Sequence, residues 1–267
     1  MALAEPSAKS LRVVTRANGA DLGPATGFLV SEQGTSWLVT NWHVLSGRNA
    51  ETKTIMPKTG ATPDSINIRF HGIALGTFNE VEVPLRDYDG VPVWHEHPVH
   101  GHAVDVAALN LTGVGQVVTE TATSVTYSTP ISFYSYDLNA TDPSRIFISV
   151  TERLSIIGFL TGEGVAGFPI WTQGFVASEP DLKYRDLPCF LIDSRTREGQ
   201  SGSPTVFYST TGQYPSGVGV TTLGAAINTR FMGVYSGRIN AKSDIGRVWT
   251  PDAIAEVVRG SKRASCL

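Results

Sequence analysis

Three short segments carry the residue types needed for acyl transfer. Arg197-Glu198-Gly199-Gln200-Ser201-Gly202-Ser203-Pro204 offers a serine hydroxyl flanked by glycines, Thr40-Asn41-Trp42-His43-Val44 offers an imidazole, and Val104-Asp105-Val106-Ala107-Ala108-Leu109 offers a carboxylate. A serine hydroxyl is a weak nucleophile at neutral pH. It needs a base to take its proton and a third group to hold that base in the correct tautomer. Ser201, His43 and Asp105 fit those roles as nucleophile, base and orienting acid. His43 and Asp105 are 62 residues apart, so only a tertiary fold can unite them. The glycines fit the same chemistry: two backbone N–H groups must converge on one oxyanion, and such a backbone often needs dihedrals open only to glycine. Gly199 and Ser201 are the candidate oxyanion donors. Pro204, lacking an N–H, suits the start of the apolar strand Thr205-Val206-Phe207-Tyr208.

The order of these residues separates competing architectures. All six histidines lie at or before position 102, whereas an α/β-hydrolase places its His after its Ser. The order Asp, His, Ser of subtilisins could be met only by Asp21, which sits in the polar turn Asn18-Gly19-Ala20-Asp21.

The three segments, in the order His, Asp, Ser, resemble the catalytic blocks of trypsin/chymotrypsin-like serine peptidases. The likeness is strongest to disulfide-poor bacterial members such as glutamyl endopeptidases and HtrA-type proteases. Gly27-Phe28-Leu29-Val30 is similar to the strand entering the family's first barrel. Met232-Gly233-Val234-Tyr235-Ser236-Gly237 is similar to its substrate-binding strand. The resemblance implies a serine endopeptidase that needs no cofactor and no metal. It implies a peptide or protein substrate whose backbone pairs with Ser236 O and the amide of Gly237 or Arg238. The family's pocket floor falls on Arg195, next to Thr196, so an acidic side chain before the cut is implied, with Arg238 as the other arginine that could enter the pocket. Gln200 stands where zymogen-activated relatives carry an acid, so activity without N-terminal cleavage is expected. The alternative function is a latent protease-fold module that clamps peptides or regulates until a protein partner orders its loops.

The elements that must position these residues read as all-β. Short β-branched and aromatic runs separated by Gly, Pro, Asn and Asp predict strands at Leu11–Thr15, Thr26–Ser31, Trp37–Thr40, Ile66–Phe70, Val81–Leu85, Val106–Leu109, Ile146–Val150, Leu154–Phe159, Gln173–Ala177, Cys189–Ile192, Thr205–Tyr208, Phe231–Tyr235 and Arg247–Trp249. This suits one peptidase domain over residues 1–267, built as two antiparallel six-stranded Greek-key barrels with the site in the cleft between them. The barrels span about 10–115 and 145–250, joined by a polar connector at 116–144. A short helix at 251–260 follows, with Thr250 as its cap, Pro251 at its first position and Gly260 at its end.

Composition supports a soluble globule: 41% hydrophobic and 17% charged residues, net charge −3 and a pI near 6.1 give no electrostatic reason to expect nucleic acid or an anionic membrane. An N-terminus without an apolar leader makes a cytoplasmic location the expectation. Two cysteines, Cys189 and Cys266, provide at most one bridge, and Cys189 in an apolar strand reads as a buried small hydrophobe. His95, His97, His100 and His102 crowd one segment near Asp105, but their spacing and the absence of a nearby Cys pair favour a solvent-facing loop over a zinc site. Asp193, eight residues before Ser201, is the second candidate for orienting the base. Trp42, bulky beside His43, is expected to narrow the site or pack on the neighbouring barrel.

Overall fold

The computed structural model describes residues 3–56, 59–74, 76–114, 131–139, 146–195, 198–224, 226–240 and 242–265. The described chain is all-β apart from three helices, and none of these is long and apolar enough to cross a membrane.

In the first half, β1 (Ser10–Ala17) and β2 (Ala20–Glu32) are joined through Asn18-Gly19, and β2 runs into β3 (Thr35–Thr40) through Gln33-Gly34. All four loop residues have positive φ, between 48° and 79°. Two consecutive left-handed residues match the right-handed twist of the flanking strands, which makes these tight hairpins and fixes their register. With β4 (Ser65–His71), β5 (Phe78–Pro84) and β6 (Ala107–Asn110) they form a sheet of order β5-β4-β1-β2-β3-β6. β7 (Ser135–Asp137) adds in parallel to β2, at Leu29 to Ser31.

This half departs from the expected closed barrel. β6 is only four residues long, and among the described residues its outer edge is met by a single bridge between Ala108 and His95 rather than by a strand ladder. β7 is also a departure, because it lies inside the span read as polar connector. Of that span, 116–130 and 140–144 lie outside the described residues.

The second half closes. β8 (Arg153–Gly158), β9 (Ile170–Val176), β10 (Cys189–Asp193), β11 (Pro204–Ser209), β14 (Asn228–Arg238) and β15 (Ile245–Trp249) form a six-stranded barrel of order β10-β15-β14-β11-β8-β9, sealed by β9 pairing with β10. A separate hairpin, β12 (Gln213–Gly217) with β13 (Val220–Leu223), is not among the strands expected from the sequence. The strand expected at Ile146–Val150 does not form. Ile146 and Ile148 are instead buried in the barrel core from irregular backbone, held in part by Phe147 N–H donating to Pro215 O at 2.8 Å.

Alternation along the strands explains why both sheet faces are apolar. In β2 and β3, Leu29 and Leu38 fill the first half's interior, while Phe28, Val30, Trp37 and Val39 face the second half. In β15, Val248 enters the second barrel and Trp249 faces the first half. The interface between the halves is therefore a third core, and it also takes Val104, Val106, Val234 and the helix α3 (Pro251–Gly260) through Ala253, Ile254, Val257 and Val258. Burial of several large aliphatic and aromatic side chains at roughly 1.5–3 kcal/mol each binds the halves into one body. Thr250 caps α3 as expected, its hydroxyl accepting from Ala253 N–H at 3.4 Å. Two one-turn helices have no signature in the sequence: α1 (Glu5–Lys9) and α2 (Trp42–Ser46) are too short to show a 3.6-residue period.

Candidate active site

His43 is displayed by α2, the single turn that follows β3. Asn41 precedes the turn with extended backbone, and Gly47 ends it in the left-handed region at φ 67°, donating to His43 O at 3.0 Å. Asn41 does not cap with its side chain. Its Nδ2 reaches across to donate to Asp105 O at 2.8 Å, tying α2 to the segment before β6.

Asp105 is 5% exposed between the fully buried Val104 and Val106. A carboxylate so placed needs donors. Its Oδ1 accepts from His43 backbone N–H at 2.9 Å, and its Oδ2 lies 2.7 Å from His43 Nδ1. An ionised carboxylate only accepts, so Nδ1 must carry the ring proton. Nε2 is then left with its lone pair, the tautomer a general base requires.

The nucleophile segment is shaped by backbone bonds to both halves. Thr161 N–H donates to Glu198 O at 2.7 Å, Ser203 N–H donates to Gln200 O at 3.0 Å, and Gly202 N–H donates to Tyr235 O at 3.0 Å. In a planar trans peptide the N–H points away from the preceding carbonyl. The amides of Gly199 and Ser201 therefore point opposite to Glu198 O and Gln200 O, and neither donates to an acceptor among the described residues. Gly199 and Gly202 have φ of 90° and 83°, and a Cβ on Gly202 would be driven into Thr26 O and Thr40 Oγ1. Glycine is required there by both conformation and space.

Thr26 is not singled out by the sequence as a site residue, although it makes the central contact from the first half. Its N–H donates to Ser201 O at 2.9 Å, its hydroxyl donates to Gly199 O at 2.8 Å, and the same hydroxyl accepts from Phe159 N–H at 3.0 Å. The available signal is a threonine inside the apolar run Ala25-Thr26-Gly27-Phe28, where it is fully buried. Thr26→Val keeps shape and branching but strands Gly199 O and Phe159 N–H in the interior. The expected loss is about 3 kcal/mol of unfolding free energy, measured by urea titration. A loss below about 0.5 kcal/mol would show that these bonds do not hold the loop.

His43, Asp105 and Ser201 line one cavity of about 500 Å³, together with Glu51, Met56, Ser236, Gly237, Arg238 and Arg247. An adjoining cavity of about 220 Å³ shares His43 and Ser201 and adds Gly199, Leu22, Pro24 and Pro63. Beyond Tyr235 the ladder between β14 and β15 is interrupted: Tyr235 pairs with Val248, and pairing resumes only at Arg238 with Gly246. Ser236 and Gly237 form the bulge between, with Gly237 at φ 86°. Their backbone is thus released from the ladder beside Ser201.

Several expectations are corrected. Tyr235 contributes only its backbone, because its ring lies in the second barrel's core against Gly246. Arg195 is exposed and does not line the cavity, since the buried Ser194 before it turns Arg195 outward into water. Thr196 lies outside the described residues. Arg238 is at the rim, 44% exposed, with Nη1 3.9 Å from Asp244 Oδ1. Asp193 ends β10 with its side chain exposed and takes no part in orienting His43. Trp42 points away from the cleft into the first half's core, where its Nε1–H donates to the buried Glu96 Oε2 at 3.2 Å.

The histidine-rich segment is not simply solvent-facing. His97 is 1% exposed, its Nδ1 accepts from the amides of Val99 and His100, and its Nε2 lies 2.7 Å from Glu256 Oε2. Burial lowers its pKa against the raising effect of Glu256. His102 Nδ1 lies 2.8 Å from Ala50 O. Among the described residues no cluster of three His, Cys, Asp or Glu could hold a metal ion. Cys189 is buried, and burial pushes its thiol up to about 11, which suits an inert core residue; Cys266 lies outside the described residues.

Solved structures resemble the chain at low identity. The active form of the Rv3671c protease from M. tuberculosis is 15% identical, with 98% of this chain and 84% of that chain covered at a TM-score of 0.48. A serine endoprotease from Yersinia pestis is 16% identical, with 95% of this chain and 62% of that chain covered at a TM-score of 0.48. The apo MamO protease domain from Magnetospirillum magneticum is 15% identical, with 94% of this chain and 96% of that chain covered at a TM-score of 0.49. No curated protein matches the chain. The family model described as a trypsin-like peptidase domain matches residues 25–213, a span that contains His43, Asp105 and Ser201, and the chain belongs to that family.

Proposed function

We propose that the protein is a serine endopeptidase in which His43, Asp105 and Ser201 act together and the Gly199 and Ser201 amides bind the oxyanion. The observation that carries this is the doubly hydrogen-bonded His43–Asp105 pair opening onto the cavity that Ser201 lines. His43 Nε2 takes the Ser201 hydroxyl proton as Oγ bonds to the substrate carbonyl carbon. Collapse of the tetrahedral intermediate breaks the C–N bond, and the imidazolium returns the proton to the leaving amine. Water then attacks the acyl-enzyme through the same base.

The substrate strand pairs with the freed backbone of Ser236 and Gly237, in the manner of strand addition to a sheet edge. The whole chain acts as one peptidase unit whose first-half sheet serves as the counterpart of the closed second barrel. Because His43 and Asp105 come from one half and Ser201 from the other, neither half alone is active.

Fluorophosphonate labelling tests the proposal. The expected result is one covalent adduct on the peptide that contains Ser201, found by mass spectrometry and prevented by denaturation. An intact, folded protein that takes no label at Ser201 would reject it. Labelling only when a cellular extract is added would instead favour a latent module awaiting a partner.

A further inference from the structure

The cavity holds an arginine that the peptidase chemistry does not use. Arg247 comes from β15, across the ladder from the Ser236–Gly237 bulge, so it lies beside the backbone to which a substrate strand would bind. Its side chain is 14% exposed, and its Nη1 lies 2.9 Å from Glu51 Oε1. Its Nε–H is buried and has no acceptor among the described residues. A guanidinium is a planar fork suited to two parallel bonds with one carboxylate, and the Nε edge of Arg247 takes no part in its ion pair with Glu51.

Glu51 is held less firmly than its partner. Its side chain is 48% exposed on the turn after α2, and the bonds that shape this turn, Lys53 N–H to Asn49 O and Glu51 N–H to Asn49 Oδ1, do not involve its carboxylate. Its other charged neighbour is Arg185, 3.9 Å away. A half-exposed ion pair contributes little, so displacing this carboxylate costs little. The surrounding charge favours a replacement acid. Arg238 lines the same cavity and Arg185 stands behind Glu51, while Asp105 is committed to His43 and Asp244 stands at the rim with Arg238.

We propose that Arg247 is the specificity-determining residue for a substrate side-chain carboxylate, and that Glu51 is its intramolecular stand-in, displaced when an acidic peptide enters the cavity. This rests on the peptidase reading above and adds the residue that recognises the acid, in place of the exposed Arg195, together with the group that holds its place. Binding exchanges one carboxylate for another on Arg247, with no net proton transfer, and leaves Glu51 free to pair with Arg185.

The test compares kcat/KM for peptides that differ only as Glu, Gln, Lys or Arg at each of the four residues on either side of the cleaved bond. Fluorophosphonate labelling of Ser201 runs in parallel, because that small reagent does not use Arg247. The wild-type protein should favour Glu by about tenfold at one position, as expected for one additional charge-assisted hydrogen bond. Glu51→Gln should raise that ratio several-fold, mainly through KM. Arg247→Gln should bring the ratio to about one while labelling continues, with Arg247→Lys between. Since Arg247 is largely buried, its variants could fail to fold, and Glu51→Gln on the exposed turn then decides. Normal labelling with equal cleavage of Glu and Gln peptides would overturn the inference and leave the peptidase reading intact. A preference for Lys or Arg at that position would also overturn it, assigning recognition to Glu51. Absence of labelling would remove both.

Discussion

Ser201→Ala is expected to lower kcat for a cleavable peptide by about 10⁶-fold, equivalent to about 8 kcal/mol of lost transition-state stabilisation. The alanine removes the atom proposed to form the acyl bond. It leaves the backbone bonds around it in place: Ser201 O still accepts from Thr26, and Gly202 N–H still donates to Tyr235 O. The variant should therefore unfold within about 0.5 kcal/mol of the parent, as expected when no buried partner is stranded. Rates are to be measured with a fluorogenic peptide after treating the preparation with fluorophosphonate, so that trace active enzyme does not set the floor. A residual rate above water of about 10³–10⁴-fold would still be consistent, because the proposed oxyanion amides and binding strand survive. A rate within about tenfold of the parent would exclude Ser201 as nucleophile.

Much of this site is visible in the linear sequence because its parts are locally encoded. His43 and Asp105 sit at the ends of apolar segments whose burial is evident from Trp37-Leu38-Val39-Thr40 and Val104 to Leu109, and those segments pair directly, Thr40 with Ala107 and Leu38 with Leu109. The glycines around Ser201 announce a backbone that only glycine adopts. What is not legible depends on parity and on distant partners. Tyr235 and Val248 point into the second barrel while Trp249 points out, and no local feature says which alternate set faces the cleft. One residue of shift exchanges the faces.

Arg247 is hidden for the same reason. Its position beside the proposed substrate-binding backbone follows from the register of β15 against β14 and from a bulge that leaves Ser236 and Gly237 out of that ladder. Arg195 is favoured by its place before the serine, yet its side chain is exposed. β7 is invisible in the sequence because Ser135-Tyr136-Asp137 is short and polar at both ends, and its parallel partner β2 lies more than a hundred residues earlier. Ile146 and Ile148 show the converse, since apolar residues can be buried by chain that joins no ladder.

Asp105→Asn should reduce kcat by about 10⁴-fold with little change in stability, and the reason lies in the two atoms that Asp105 presents. Oδ1 accepts from the His43 backbone N–H, a donor whose direction is fixed by α2, and Oδ2 meets Nδ1 of the same residue. An asparagine keeps one acceptor and gains one donor. Facing the backbone N–H with its amide would set donor against donor in a buried site, so its oxygen stays on that N–H and its NH₂ turns to the ring. Nδ1 must then accept, the ring proton moves to Nε2, and the atom proposed to act as the base becomes a donor that cannot take the hydroxyl proton. The backbone contact from α2 thus selects the unproductive tautomer. The prediction is checked by kcat on the fluorogenic peptide, together with the imidazole ¹⁵N shifts, which report protonation at Nδ1 in the parent and at Nε2 in the variant. If Asp105→Asn retained more than about a tenth of the parent rate, or if the ring proton stayed on Nδ1, the carboxylate would not be what sets the base.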